Sequence, residues 1–145
     1  MKKRAIAAAL VAAFALVAAA QENKADRTLK VKLNYTGSVK VDDKHKIFLF
    51  VFDSPDFTQG AGMPIASDTA AAKDQTVTFS NLSASPVYVV AVLDPNGAYE
   101  GMSPPPSGSS MGMYSKEPGK PGPIAIEAGK TVSVDLAFDD SNKMP

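Results

Sequence analysis

The chain has 145 residues, with no Cys, no Trp and one His, and 15 Lys+Arg against 15 Asp+Glu. Without Cys there is no disulfide, no thiolate metal site and no Cys nucleophile, so apolar packing alone must hold the fold. Balanced and scattered charge argues against non-specific nucleic-acid binding, which needs clustered positive charge.

Residues 1–20 read as a secretory signal. Lys2, Lys3 and Arg4 form a basic start, Ala5 to Ala20 are uniformly apolar, and Ala18-Ala19-Ala20 supplies the small residues before a cleavage point at Gln21. Sixteen apolar residues are short for a membrane span, which needs about 20. The expectation is an exported protein, periplasmic or extracellular, with no membrane span in the mature chain. Removing Lys2, Lys3 and Arg4 leaves 12 basic against 15 acidic residues. Residues 21–27 read as a flexible leader, 28–140 as one domain and 141–145 as a polar tail.

Thr28 to Tyr35 alternates, with Leu29, Val31, Leu33 and Tyr35 on one face and Lys30, Lys32 and Asn34 on the other, the pattern of a half-buried strand. Gly37 offers a bend before a continuation to Val39 and Val41. The Lys residues are read as the solvated face of an edge strand over 28–40. Such an edge resists edge-to-edge pairing, so the chain is expected to be a monomer.

Asp42 to Lys46 is a charged turn. Ile47 to Phe52 (IFLFVF) is apolar throughout and reads as a central strand covered on both sides. Pro64-Ile65-Ala66 reads as a short edge strand, and Asp68 to Asp74 as a helix-like turn. Val77 to Phe79 is a short alternating strand. Val87 to Leu93 is an apolar run stopped by Asp94-Pro95-Asn96-Gly97, and reads as a second central strand. Residues 94–122 form a long loop rich in Pro, Gly, Ser and Met. Pro123 to Ala128 and Thr131 to Phe138 read as a hairpin around Gly129-Lys130. Six to seven strands with regular turns and no convincing helix predict an all-β, antiparallel Greek-key β-sandwich. Phe48, Phe50, Phe52, Phe79, Tyr88 and Phe138 are expected near the interface between its sheets. A small closed barrel is the structural alternative.

From Val77 to Gly97 the chain resembles the prealbumin-like β-sandwich superfamily of carboxypeptidase regulatory-like, starch-binding-like and transthyretin-like domains. Val77, Phe79, Leu82, Tyr88, Asp94, Asn96 and Gly97 match its V-x-F-x-x-L strand, its Tyr-bearing apolar strand and its D-x-N-G turn. Gly129 to Leu136 is similar to its last strand. The resemblance implies the fold more than any activity. Hydroxyisourate hydrolases of transthyretin type end in Tyr-Arg-Gly-Ser and use more than one His. This chain ends Asn-Lys-Met-Pro and has only His45, so that activity is not carried over.

No catalytic residue is assigned. His45 sits in a charged turn, no Gly-x-Ser-x-Gly elbow occurs, and a Ser–Asp pair without His lacks a base near neutral pH. The expectation is a non-enzymatic module with no obligatory cofactor.

Three binding ideas remain. Asp94, Asn96 and Glu100 are oxygen donors in one loop and could hold calcium, with Asp139 and Asp140 joining, but the stretch lacks the ligand alternation of a calcium loop and reads first as a β-turn. Met102, Met111 and Met113 are soft thioethers suited to Cu(I), and read otherwise as adaptable packing. Tyr99 and Tyr114 flank the long loop and could stack on a sugar or a partner side chain. The first expectation is therefore binding of a protein or glycan through residues 94–122, with a calcium- or copper-binding envelope protein as the alternative.

Overall fold

The computed structural model describes residues 26–59 and 62–145. The signal and nearly all of the leader lie outside those residues. The leader's last member, Arg27, already belongs to the first strand. The described part contains seven strands, one 3-10 turn at Pro55–Gln59 and no α-helix: β1 Arg27–Tyr35, β2 Ile47–Phe52, β3 Ala66–Ala70, β4 Thr76–Leu82, β5 Tyr88–Leu93, β6 Ser110–Met113 and β7 Thr131–Phe138.

They form two sheets, of order β4-β1-β7 (sheet A) and β3-β2-β5-β6 (sheet B). Period-two alternation turns one face of each sheet to a common core. Leu29, Val31, Leu33 and Tyr35 of β1, Val77 and Phe79 of β4, and Leu136 and Phe138 of β7 meet Ile47, Leu49 and Val51 of β2 and Val89, Ala91 and Leu93 of β5. Two layers over one apolar core are sandwich-like, in keeping with the sequence reading.

Several expectations are corrected. Pairing is not wholly antiparallel: β7 runs parallel to β1, in unbroken register from Thr28 opposite Thr131 to Tyr35 opposite Phe138. A parallel pair needs a long crossover, and the rest of the domain supplies it. The hairpin 123–128/131–138 does not form. Val87 and Ile124 exchange two backbone hydrogen bonds of 2.9 Å, so this segment extends sheet B. Ile124 and Ile126 enter the core, and the chain then turns across to sheet A.

The Lys-bearing strand is central, not an edge. β1 lies between β4 and β7, with Lys30 and Lys32 exposed on the outer face of the sheet. β1 ends at Tyr35, and at Gly37 the chain passes so close to the Tyr35 hydroxyl that no Cβ would fit. Of the turn expected over Asp68 to Asp74, residues 71–74 are a turn and Asp68 to Ala70 is strand; the ladder with β2 outweighs the local helix preference of alanine. The long loop is interrupted by β6, which pairs with β5 from Val90 opposite Met113 to Leu93 opposite Ser110. The polar tail is docked. Met111 N–H donates to Asn142 O at 2.8 Å, and Met144 N–H to Ser109 O at 2.8 Å.

Of the six aromatics expected between the sheets, only Phe79 and Phe138 lie in the shared core. β2 and β5 are both interior to sheet B, but not covered on both sides as expected: Phe48, Phe52 and Tyr88 are half-exposed. Their odd-numbered residues take the interface, which sends Phe48, Phe50, Phe52 and Tyr88 to the opposite face.

Candidate functional site

That opposite face of sheet B is the chemically distinctive surface. The register sets Phe48 beside Val92 and Phe50 beside Val90, then Val92 beside Met111 and Val90 beside Met113. The result is a second apolar cluster of Phe50, Val90 and Val92, with Phe48, Phe52, Phe57, Tyr99, Met111 and Met113 half-buried around it. An outer sheet face normally carries polar side chains. On sheet A it does: Lys30, Lys32, Thr76, Thr78, Ser133 and Asp135 are exposed.

Two flanking segments cover part of the face. Phe57, from the 3-10 turn, stacks on Phe52 with ring centroids 4.6 Å apart and planes at 20°. At the other end Tyr99 meets Phe48 edge-on, with centroids 4.9 Å apart. Burial raises the Tyr99 hydroxyl above the ordinary tyrosine value.

Asp94 holds Tyr99 there. The side chain is only 3% exposed. One carboxylate oxygen accepts from Asn96 N–H at 2.9 Å, and the other from Ala98 N–H at 2.8 Å and Tyr99 N–H at 3.0 Å. Gly97 N–H closes the turn on Asp94 O at 3.2 Å. Gly97 has φ +70°, and a Cβ there would lie 2.7 Å from Lys44 O, so this position requires glycine twice over. The Asp-Pro-Asn-Gly signal is thus an Asx-type turn that aims an aromatic ring.

Beside Tyr99 opens a cleft of about 450 Å³, lined by His45, Lys46, Phe48, Asn96, Tyr99 and Glu100 among others. His45 Nδ1 lies 3.0 Å from Asp42 Oδ1. The hydrogen bonds from the His45 ring and the His45 backbone hold Asp42 at about 2.

The remaining candidates are dispersed. Tyr114 packs against the shared core, and so is not part of the Tyr99 cluster. Met111 and Met113 lie on the outer face of sheet B, while Met102 is 90% exposed in the preceding loop. Asn96 and Glu100 are exposed, and Asp94 spends both oxygens on backbone donors. Among the described residues no three His, Asp or Glu side chains converge as a metal site would require.

One cluster carries no signal in the sequence. Asp140 accepts from Tyr35 Oη at 2.5 Å and Ser110 Oγ at 2.6 Å through Oδ1, and from Ser38 N–H at 2.8 Å through Oδ2. It ties the end of β1, the start of β6 and the end of β7 together. These bonds, from Ser110 first, hold the Asp140 carboxyl well below the usual carboxylate range. The folded-state value is below the unfolded one, so the unfolded chain binds the extra proton as pH falls. The stability Asp140 contributes is complete above about pH 5 and drains as the pH falls below about 4. Asp140→Asn should lower stability at pH 7 by about 1.5–3 kcal/mol and flatten the acid limb. Urea titrations at pH 7 and pH 3 check both; equal loss at the two pH values would refute it.

No protein-family model, curated protein or solved structure matches the chain.

Proposed function

We propose that the chain is an exported, non-catalytic binding module that holds a partner protein against the outer face of sheet B. The observation that carries this reading is the Phe48–Phe50–Met111–Met113 face, apolar where a sheet surface is ordinarily polar. Aromatic residues and Met are enriched in protein interfaces, and Met side chains repack to suit a partner. The signal pattern of residues 1–20 and the resemblance of Val77–Gly97 to prealbumin-like accessory domains support the same reading. Residues 94–102 and β6 are then the parts of the long loop that take part.

The test is site-specific photo-crosslinking in the producing cell. A photoreactive phenylalanine analogue at Met113 should give an adduct of fixed mass, and the same analogue at Lys30, on the outer face of sheet A, should not. Tyr99→Ala should weaken the partner by about tenfold or more, the scale of an aromatic anchor. Equal adducts from both faces would remove the reading.

A second reading, a glycan, is favoured by the cleft. The Phe48–Tyr99 pair gives a sugar an apolar wall, and His45, Lys46, Asn96 and Glu100 surround it with hydrogen-bonding groups. A soluble oligosaccharide at about 100 times its dissociation constant would stabilise the fold by about 2.7 kcal/mol, visible as a rise in Tm. Oligosaccharides that leave Tm unchanged decide against the sugar and leave the protein reading to the crosslinks.

A further inference from the structure

The edges of the two sheets are not equivalent. β6 is covered by the returning tail, which bonds to Ser109 and Met111. β3 and β4 lie against each other at one corner of the sandwich, where the short turn 71–75 joins them. β7 meets β6 at the opposite corner, where Gly112 lies against Phe138, but its backbone edge differs from the other three. It has eight residues, no Pro, no bulge and no Lys, the devices by which edges are usually blunted. Among the described residues no backbone group bonds to its far side.

The ladder shows which groups are open. Thr28 N–H donates to Lys130 O at 3.0 Å and Thr36 N–H to Phe138 O at 3.1 Å. The even-numbered residues 130–138 therefore turn both backbone groups to β1. Thr131, Ser133, Asp135 and Ala137 turn theirs outward.

We propose that this edge pairs with β7 of a second copy of the chain, antiparallel about a two-fold axis at Val134, joining two three-stranded sheets into one of six strands. The strand is self-complementary in that register. Ser133 and Thr131 meet Asp135 and Ala137 of the second copy as hydrogen-bonded pairs, making about eight backbone bonds in all. On the core side Val132 meets Leu136 and Val134 meets its own counterpart. Val132 and Val134 are half-exposed at the rim of the core, and the second copy covers them. No like charges stand directly opposite, and each Asp135 has its own Lys32 beside it in the sheet. Centring on Asp135 would oppose two carboxylates, which is unfavourable. Centring on Ser133 would lose about two bonds. Charge and bond count therefore select the Val134 register, and the sequence expectation of a monomer loses its basis once the Lys strand is interior.

The experiment is sedimentation equilibrium across the micromolar range on the protein as its producing cell processes it. Wild type should reversibly form a dimer. Ser133→Pro removes an N–H that points away from β1, so it spares the fold's own ladder and should weaken the dimer by about tenfold or more. Ser133→Asp, an exposed change beside Lys30, opposes Asp135 of the second copy and should also weaken it, whereas Ser133→Lys should tighten it. Far-ultraviolet dichroism confirms that each variant is folded, and the two charge variants keep the test open if Ser133→Pro is not. A wild-type monomer throughout overturns the proposal, including one that takes up an added extended peptide at β7. So does a dimer indifferent to all three substitutions. Neither result touches the outer face of sheet B, which lies on the other sheet.

Discussion

Leu49→Ala should cost about 2–5 kcal/mol of stability, while its neighbour Phe48→Ala should cost clearly less and act mainly on binding. Leu49 is 0% exposed in the middle of β2, with β3 on one side and β5 on the other. Truncation there removes a buried isobutyl group, and the surrounding ladders limit how far the site can collapse. Phe48 is half-buried on the other face, where Tyr99 and Val92 are its neighbours and solvent reaches its edge. Denaturant titration of the two variants measures the difference directly. Equal losses would mean that β2 does not divide its faces between a closed core and a half-open surface.

Asp94→Ala should cost about 3 kcal/mol and release Tyr99 from its place over Phe48. Three backbone N–H groups lose a charged acceptor that sits at the base of the loop. Those donors point at the buried Asp94 side chain, so its loss empties the centre of the turn. The same substitution should abolish the Tyr99-dependent part of partner binding, with the shared core intact. Asp94→Asn keeps one acceptor and should lie between the two. A binding-competent, fully stable Asp94→Ala variant would show that the turn does not aim the ring.

What the sequence disclosed is the part governed by period. The alternation of Leu29 to Tyr35 and of Val132 to Phe138, and the unbroken apolar runs of β2 and β5, gave strands at the right places and, for β2 and β5, an interior position within a sheet. Period cannot say which face of an all-apolar strand meets the other sheet, and IFLFVF reads the same both ways. Pairing partners are equally silent. Thr131 to Phe138 sits next to Gly129-Lys130, which favours a hairpin locally, and only the parallel ladder with β1 overrules it. Ser110 to Met113 has neither branched residues nor alternation, so its strand exists because β5 and the tail offer it partners. Gly112 lets it come close, where a side chain would strike Phe138. Asp140 and Tyr35 meet across 105 positions, a contact that no local pattern announces. At the site, Asp94 and Tyr99 were visible as turn and ring, and their joint action was not, since it depends on Phe48 facing outward.

The most direct test is solvent paramagnetic relaxation of methyl groups by NMR on the folded protein. The methyls of Leu49, Val51 and Val89 should be untouched, those of Met111 and Met113 relaxed to an intermediate degree, and that of Met102 fully relaxed. Met111 and Met113 methyls as protected as Leu49 would contradict an outer face of sheet B left for a partner.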